Sequence, residues 1–274
     1  MKRSKSSSVQ GLLAIGYVLL AAMLVAMYLP VVMIFIYSFN KSRIGTVWTG
    51  FSTRWYEELF FRPDLWNSLQ MSLLIGCGCA TLSVVLGAIA AWGLHRSRQG
   101  LASSTMKGLL YLPLVLPDVT LGMSLALLFY FIGIQKGFAT IVLAQSVCGM
   151  CYAYVVVAAA LQKLDTTLYD AAMDCGATPW QVQRFVVLPL MLPSMMTAWL
   201  FALVLSFDDF LIAFFTKGVG TDTLPIKIFS MMRFGVRPDI NALFSILFAI
   251  AAIGLFLFAA MQRDSEGDAA ASSH

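Results

Sequence analysis

Charge is scarce in this 274-residue chain. Asp, Glu, Lys and Arg make up only 12% of it, about half the ~25% of an ordinary soluble domain. Histidine occurs twice, at His95 and His274, so no histidine cluster is at hand for metal binding or acid–base work. No Gly-Lys dipeptide occurs, so the chain has no GxxxxGK[ST] loop to cradle phosphates. Hydrophobic residues, by contrast, reach 59%, and the mean hydropathy is +0.82. That much apolar surface cannot be hidden inside one water-soluble core of this length. The balance excludes a soluble enzyme, a disordered chain and a nucleic-acid binder. The net charge of +4 reads as loop charge near lipid headgroups and not as a polyanion site. The composition predicts an integral membrane protein.

Stretches free of Asp, Glu, Lys and Arg locate the spans. They run over 6–40, 65–95, 108–135 (broken only by Asp118), 137–162, 185–207 and 240–262. Each exceeds the ~20 residues a helix needs to cross a hydrocarbon layer of about 30 Å, and a helix satisfies its own backbone there. The expectation is an all-α, polytopic membrane protein with six transmembrane helices, at 12–37, 68–94, 109–134, 139–162, 190–214 and 241–262. No small-x-small cleavage site ends the first run, which continues as Tyr37-Ser38-Phe39-Asn40, so it reads as a retained span. With both termini cytoplasmic, the 18 Lys and Arg divide nine against nine. The acid-free cluster Lys2, Arg3 and Lys5 tips the orientation toward a cytoplasmic N-terminus. The organisation is a basic segment at 1–10, one transmembrane domain at 11–262 with a cytoplasmic loop at about 163–189, and a disordered tail at 263–274.

Five cysteines lie in or beside the apolar helices, and Cys148 and Cys151 have CxxC spacing. With no second pair and no nearby histidine, they read as small packing residues. Gly76/Ala80 and Gly87/Ala91 give small-xxx-small spacing for close helix contact.

The cytoplasmic loop has the most specific pattern. Asp165 or Thr166 can cap a short helix in which Leu168, Ala171, Ala172 and Cys175 recur at helical spacing. Gly176 can end it in the left-handed conformation. Thr178-Pro179-Trp180-Gln181 then reads as a fresh N-cap, Pro at the first helical position and Gln closing a capping box. Such a helix could dock in a partner's groove or lie on the headgroups.

Asp170-Ala171-Ala172, Gly176 and, further on, Val186, Leu188 and Pro189 resemble the EAA loop of ABC importer permeases. Asp170 stands where that pattern has Glu, and Val186 where it has Ile. Several further segments resemble the spermidine/putrescine permeases of that group. They are Ile36 to Asn40, Trp48 to Tyr56, Pro117-Asp118, Leu205 to Asp209, Leu224 to Ile228 and Phe234 to Leu243. The resemblance implies a type I importer permease in the inner membrane, working by alternating access. It implies two ATP-binding subunits, a second non-identical permease, a periplasmic polyamine-binding protein and a polyamine substrate. ATP and Mg would be bound by the partner subunits, with no cofactor, metal or catalytic residue on this chain. In that group the loop is the coupling helix, so Asp170, Ala171, Ala172, Gly176, Leu188 and Pro189 are the ATPase-coupling residues it implies.

Intramembrane acids are functional candidates by default. Asp118 follows Pro113 and Pro117, which bend a helix and free its carbonyls. It would line the route and attract a cation, or else hold the proline kink. Asp208 and Asp209 would serve as a gate or as a polar helix end, with at most one facing a pathway, because adjacent helix positions point about 100° apart. Residues 48–61 and 224–234 mix aromatics with charge as interfacial helices do. In the group resembled such segments meet the binding protein, and bilayer anchoring is the other reading. The rival functions are a permease for another small solute and an ion-coupled secondary carrier.

Overall fold

A computed structural model describes residues 3–42, 47–96, 100–164, 166–233, 238–250 and 252–253. Its helices, in chain order, are α1 (Arg3–Tyr37), α2 (Arg54–Phe60), α3 (Pro63–Arg96), α4 (Leu101–Val115), α5 (Asp118–Ile132), α6 (Phe138–Lys163), α7 (Thr166–Asp174), α8 (Pro179–Val182), α9 (Leu188–Asp208), α10 (Leu211–Thr216) and α11 (Leu224–Met232). A shorter apolar helix, α12, follows at Pro238–Ile250. A π turn, Gln183–Val187, joins α8 to α9.

Four of the six expected spans are continuous helices, at Ile15–Tyr37, Pro63–His95, Phe138–Lys163 and Pro179–Asp208. The third is a correction. It is not one kinked helix but the pair α4 and α5, bent by 108°. Proline chemistry accounts for the break. Pro117 withholds the N–H that would continue the ladder, and Leu116 before it takes an extended conformation (φ −73°, ψ 138°). The fifth also differs, since α9 ends at Asp208 and α10 restarts at Leu211. The sixth is described only to 253, and the tail at 263–274 lies outside the described residues.

The chain divides into two compact units, Met1–Pro63 with Ser230–His274, and Asp64–Phe229. In the second unit α6 packs along α3 and α9 through small residues. A Cβ on Gly87 would stand 2.7 Å from Ala153 Cβ and 2.8 Å from the Tyr154 nitrogen, so only glycine admits this approach. Gly76 serves the same end against Leu203 of α9. Around these contacts Val84, Ala91, Ala153, Val157, Leu161, Val187, Met191 and Ala198 form one buried core. Cys151 is buried within this packing, its thiol donating to the Val147 carbonyl at 3.0 Å.

In the first unit, from Ile15 to Tyr37, α1 is apolar on all sides and broadly exposed, as a lipid-facing helix is. Its C-terminal turn is tied to the following loop by buried Asn40. The Asn40 amide donates to the Val47 carbonyl at 2.7 Å, and Oδ1 accepts from the Ser42 and Thr49 N–H groups at 3.2 and 3.1 Å. Trp55, 2% exposed, donates to the Asn40 carbonyl at 2.6 Å. The segment 48–61 is therefore a pinned loop plus the short helix α2, not a helix throughout. Arg62 pairs with buried Asp239 at 3.0 Å, linking the end of α2 to the start of α12.

Candidate functional site

Two interruptions of helix define the places where chemistry can occur. The first is the turn between α7 and α8. Gly176 has φ +87°, the left-handed value that favours glycine. The Gly176 N–H donates to the Met173 carbonyl at 2.9 Å and the Ala177 N–H to the Ala172 carbonyl at 3.2 Å. These two bonds make a Schellman end. The next helix starts with the expected capping box, in which the Thr178 N–H donates to Gln181 Oε1 at 2.7 Å and the Gln181 N–H to Thr178 Oγ1 at 3.4 Å. The N-cap expected at Asp165 lies outside the described residues.

The stripe on α7 differs from expectation. Ala172 turns inward with Tyr169 to pack on the transmembrane core, whereas Leu168, Ala171 and Cys175 stay exposed together with Asp170. The π turn lies immediately before Leu188 and Pro189. There the Leu188 N–H reaches back five residues to the Gln183 carbonyl. Pro189 has no N–H for the Phe185 carbonyl, and its ring would crowd that group in a regular helix, so a wider turn relieves both demands.

The second place is a cavity of about 330 Å³ formed where α4 meets α5 and α9 meets α10. Pro113, Leu114, Asp118, Cys148, Tyr152, Leu205 and residues 208–212 line it. All three acids singled out from the sequence are among the lining residues, and no Lys, Arg or His is. Asp118 occupies the first turn of α5, where the helix dipole favours a negative charge. Helix α5 begins at this residue, so Asp118 stands at a helix end and not within one kinked helix.

Asp208 and Asp209 both line the cavity, contrary to the 100° argument. That argument needs a continuing helix, and Asp209 has left it with φ −73° and ψ 111°. Asp209 Oδ2 accepts from Gln145 Nε2 at 2.7 Å, and Oδ1 from the Ile212 N–H at 3.0 Å, which starts α10. Gln145 Oε1 accepts from Ser206 Oγ at 2.6 Å. Gln145 and Ser206 were not singled out from the sequence, where only charged groups were weighed. Gln145, set inside the apolar stretch 137–162, was the available signal, since a buried amide needs partners.

Clustered carboxylates in an apolar setting repel one another and are costly to keep ionised. A cation entering the cavity relieves both penalties. An alkyl ammonium, which only donates hydrogen bonds, would find the acceptors it needs there.

The chain has relatives among known transport proteins. A family model described as binding-protein-dependent transport system inner membrane component matches residues 83–263. The chain is 41% identical over 244 residues to the putrescine transport system permease protein PotI of Escherichia coli (strain K12), covering 86% of this chain and 87% of that one. It is 34% identical over 225 residues to the spermidine/putrescine transport system permease protein PotC of Haemophilus influenzae, covering 82% and 87%. In fold it is similar to a chain of a bacterial ABC transporter involved in the import of the acidic polysaccharide alginate. The TM-score is 0.71 at 16% identity, covering 95% of this chain and 98% of that one.

Proposed function

The chain belongs to the family of binding-protein-dependent transport system inner membrane components, and from that premise we propose that it passes polyamines, putrescine or spermidine, through the inner membrane. It is a multi-pass permease subunit with the type I importer fold. The observation that carries the cargo is the cavity in which Asp118 and Asp208 are lining acids and no lining residue is basic. The similarity to PotI and PotC supports the same cargo class.

In this reading two ATP-binding subunits hold ATP and Mg and close on each other in the cytoplasm. The loop bearing Asp170, Ala171, Ala172 and Gly176 moves with them. Leu188 and Pro189 lie where that loop passes into the membrane helix. From Pro179 the chain is helical to Asp208, 30 residues, or about 45 Å at 1.5 Å per residue. A displacement at the loop is thereby delivered to the break beside the cavity, and the route reopens toward the other side. A second, non-identical permease completes the passage, and a periplasmic binding protein brings the amine. Both termini are cytoplasmic, and this chain hydrolyses nothing.

Uptake of labelled putrescine and spermidine by cells lacking this gene tests the reading. Uptake should vanish, return with the wild-type copy, and stay low with Asp118→Asn. Unchanged uptake in the deletion, with no other polyamine importer present, would overturn the cargo.

A further inference from the structure

The three carboxylates around the cavity are not equivalent. Asp209 has both oxygens engaged, Oδ2 by Gln145 and Oδ1 by the Ile212 N–H. Gln145 is itself 4% exposed and held from behind, because the Ser206 hydroxyl donates to its Oε1 at 2.6 Å. That bond leaves only the amide N–H groups to face Asp209, so the hydroxyl sets which end of the glutamine the carboxylate meets. The sequence Ser206 to Gln145 to Asp209 runs from the last turn of α9 across to α6 and back to the first residue beyond α9. It staples the break between α9 and α10 to a third helix. Asp118 and Asp208 line the same cavity, and among the described residues neither makes a hydrogen bond or ion pair.

Building on the importer reading above, we propose that Gln145, Ser206 and Asp209 form a positioning relay that fixes the α9–α10 break, while Asp118 and Asp208 make the contacts to the cationic cargo. A diammonium that sheds water needs acceptors with lone pairs to spare. Asp118 and Asp208 offer them without breaking any protein bond. Asp209 would have to release the Gln145 amide or the start of α10 to do the same. The relay is also reversible in its polarity. An asparagine at 209 can donate to a flipped Gln145 carbonyl, whose amide then donates to Ser206 Oγ. The charge at 209 is therefore dispensable, and the hydrogen bond is not.

A charge exchange tests this, with uptake of labelled putrescine and spermidine measured per assembled complex in cells lacking the native gene. Gln145→Glu alone sets two carboxylates within hydrogen-bonding distance and should cut maximal uptake more than about tenfold. Adding Asp209→Asn to it restores a donor opposite the new carboxylate and should return uptake to within about threefold of wild type. Asp209→Asn alone should also stay within about threefold, with KM for the amine unchanged. Asp118→Asn and Asp208→Asn should instead raise KM about tenfold or more, and no change at 145 should repair them. The assignment is overturned if Asp209→Asn costs as much as Asp118→Asn and the double variant is no better than Gln145→Glu. It is equally overturned if Asp118→Asn and Asp208→Asn leave KM untouched. Failure of the wild-type copy itself to restore amine uptake would instead overturn the importer reading, and this assignment with it.

Discussion

The turn between α7 and α8 and the break between α9 and α10 solve one problem in two ways. Both leave helix ends whose backbone groups need partners. In the α7–α8 turn every partner is local: Ala177 reaches Ala172, and Thr178 and Gln181 serve each other. At the α9–α10 break the tie comes from Gln145, 64 residues from Asp209 in sequence. The physical reason is the surroundings. Water can complete a surface turn, whereas a break among apolar helices must find donors and acceptors on neighbouring helices. In the proposed importer, a loop that moves against a partner gains from carrying its geometry within itself. A break that must hold a cavity open gains from being pinned to an element that stays still.

Removing the distant partner should therefore be the most damaging change. Gln145→Leu leaves Asp209 Oδ2 and Ser206 Oγ without their partner in an apolar setting, at a cost of about 1–3 kcal/mol per orphaned group. We expect maximal amine uptake to fall more than about tenfold, with the purified complex also less resistant to heat. A Gln145→Leu variant that transports at the wild-type rate would mean that the break holds itself, as the α7–α8 turn does.

The same contrast explains what the sequence makes legible. Four of the spans, the capping box of Thr178 and Gln181, and the helix end at Gly176 follow from residues a few positions apart, and the structure has them. The bent pair α4 and α5 was half legible. Pro113 and Pro117 announce a disturbance, but nothing local fixes a bend of 108°. The three acids could be picked out singly because charge is rare in these helices. Their convergence on one cavity could not, because it depends on α4, α5, α6, α9 and α10 coming together. Gln145 and Ser206 were invisible for a related reason: a neutral side chain carries meaning only once its partner is known. The α7 stripe was misjudged because helical spacing places Ala171 and Ala172 on neighbouring faces, and only packing chooses between them.

A change of intermediate size tests how far the α7–α8 turn depends on backbone conformation alone. No atom lies within 4 Å of a Cβ built on Gly176, so a side chain there meets open space. Its φ of +87° is nevertheless strained for other residues, at about 1–2 kcal/mol and more for a β-branched side chain. Gly176→Val should lower uptake about three- to tenfold, with the subunit still inserted at normal levels. Gly176→Asn should retain most activity, because Asn tolerates the left-handed region. Equal loss from Val and Asn would point to a side-chain clash with a partner protein in place of backbone strain.

The smallest effect should come from the cap. Thr178→Ala removes the oxygen that accepts from the Gln181 N–H, but that bond is long at 3.4 Å and the residue is exposed. A lost N-cap costs about 1 kcal/mol, and water can take up the freed N–H. Pro179 still presets the first turn, and Val182 and Val187 still anchor the following segment in the core. Uptake should stay within about twofold of wild type, and Thr178→Ser should be indistinguishable from it. A loss as large as that of Gln145→Leu would show that α8 transmits force through its first turn. The α7–α8 interruption would then be as dependent on one side chain as the break beside the cavity.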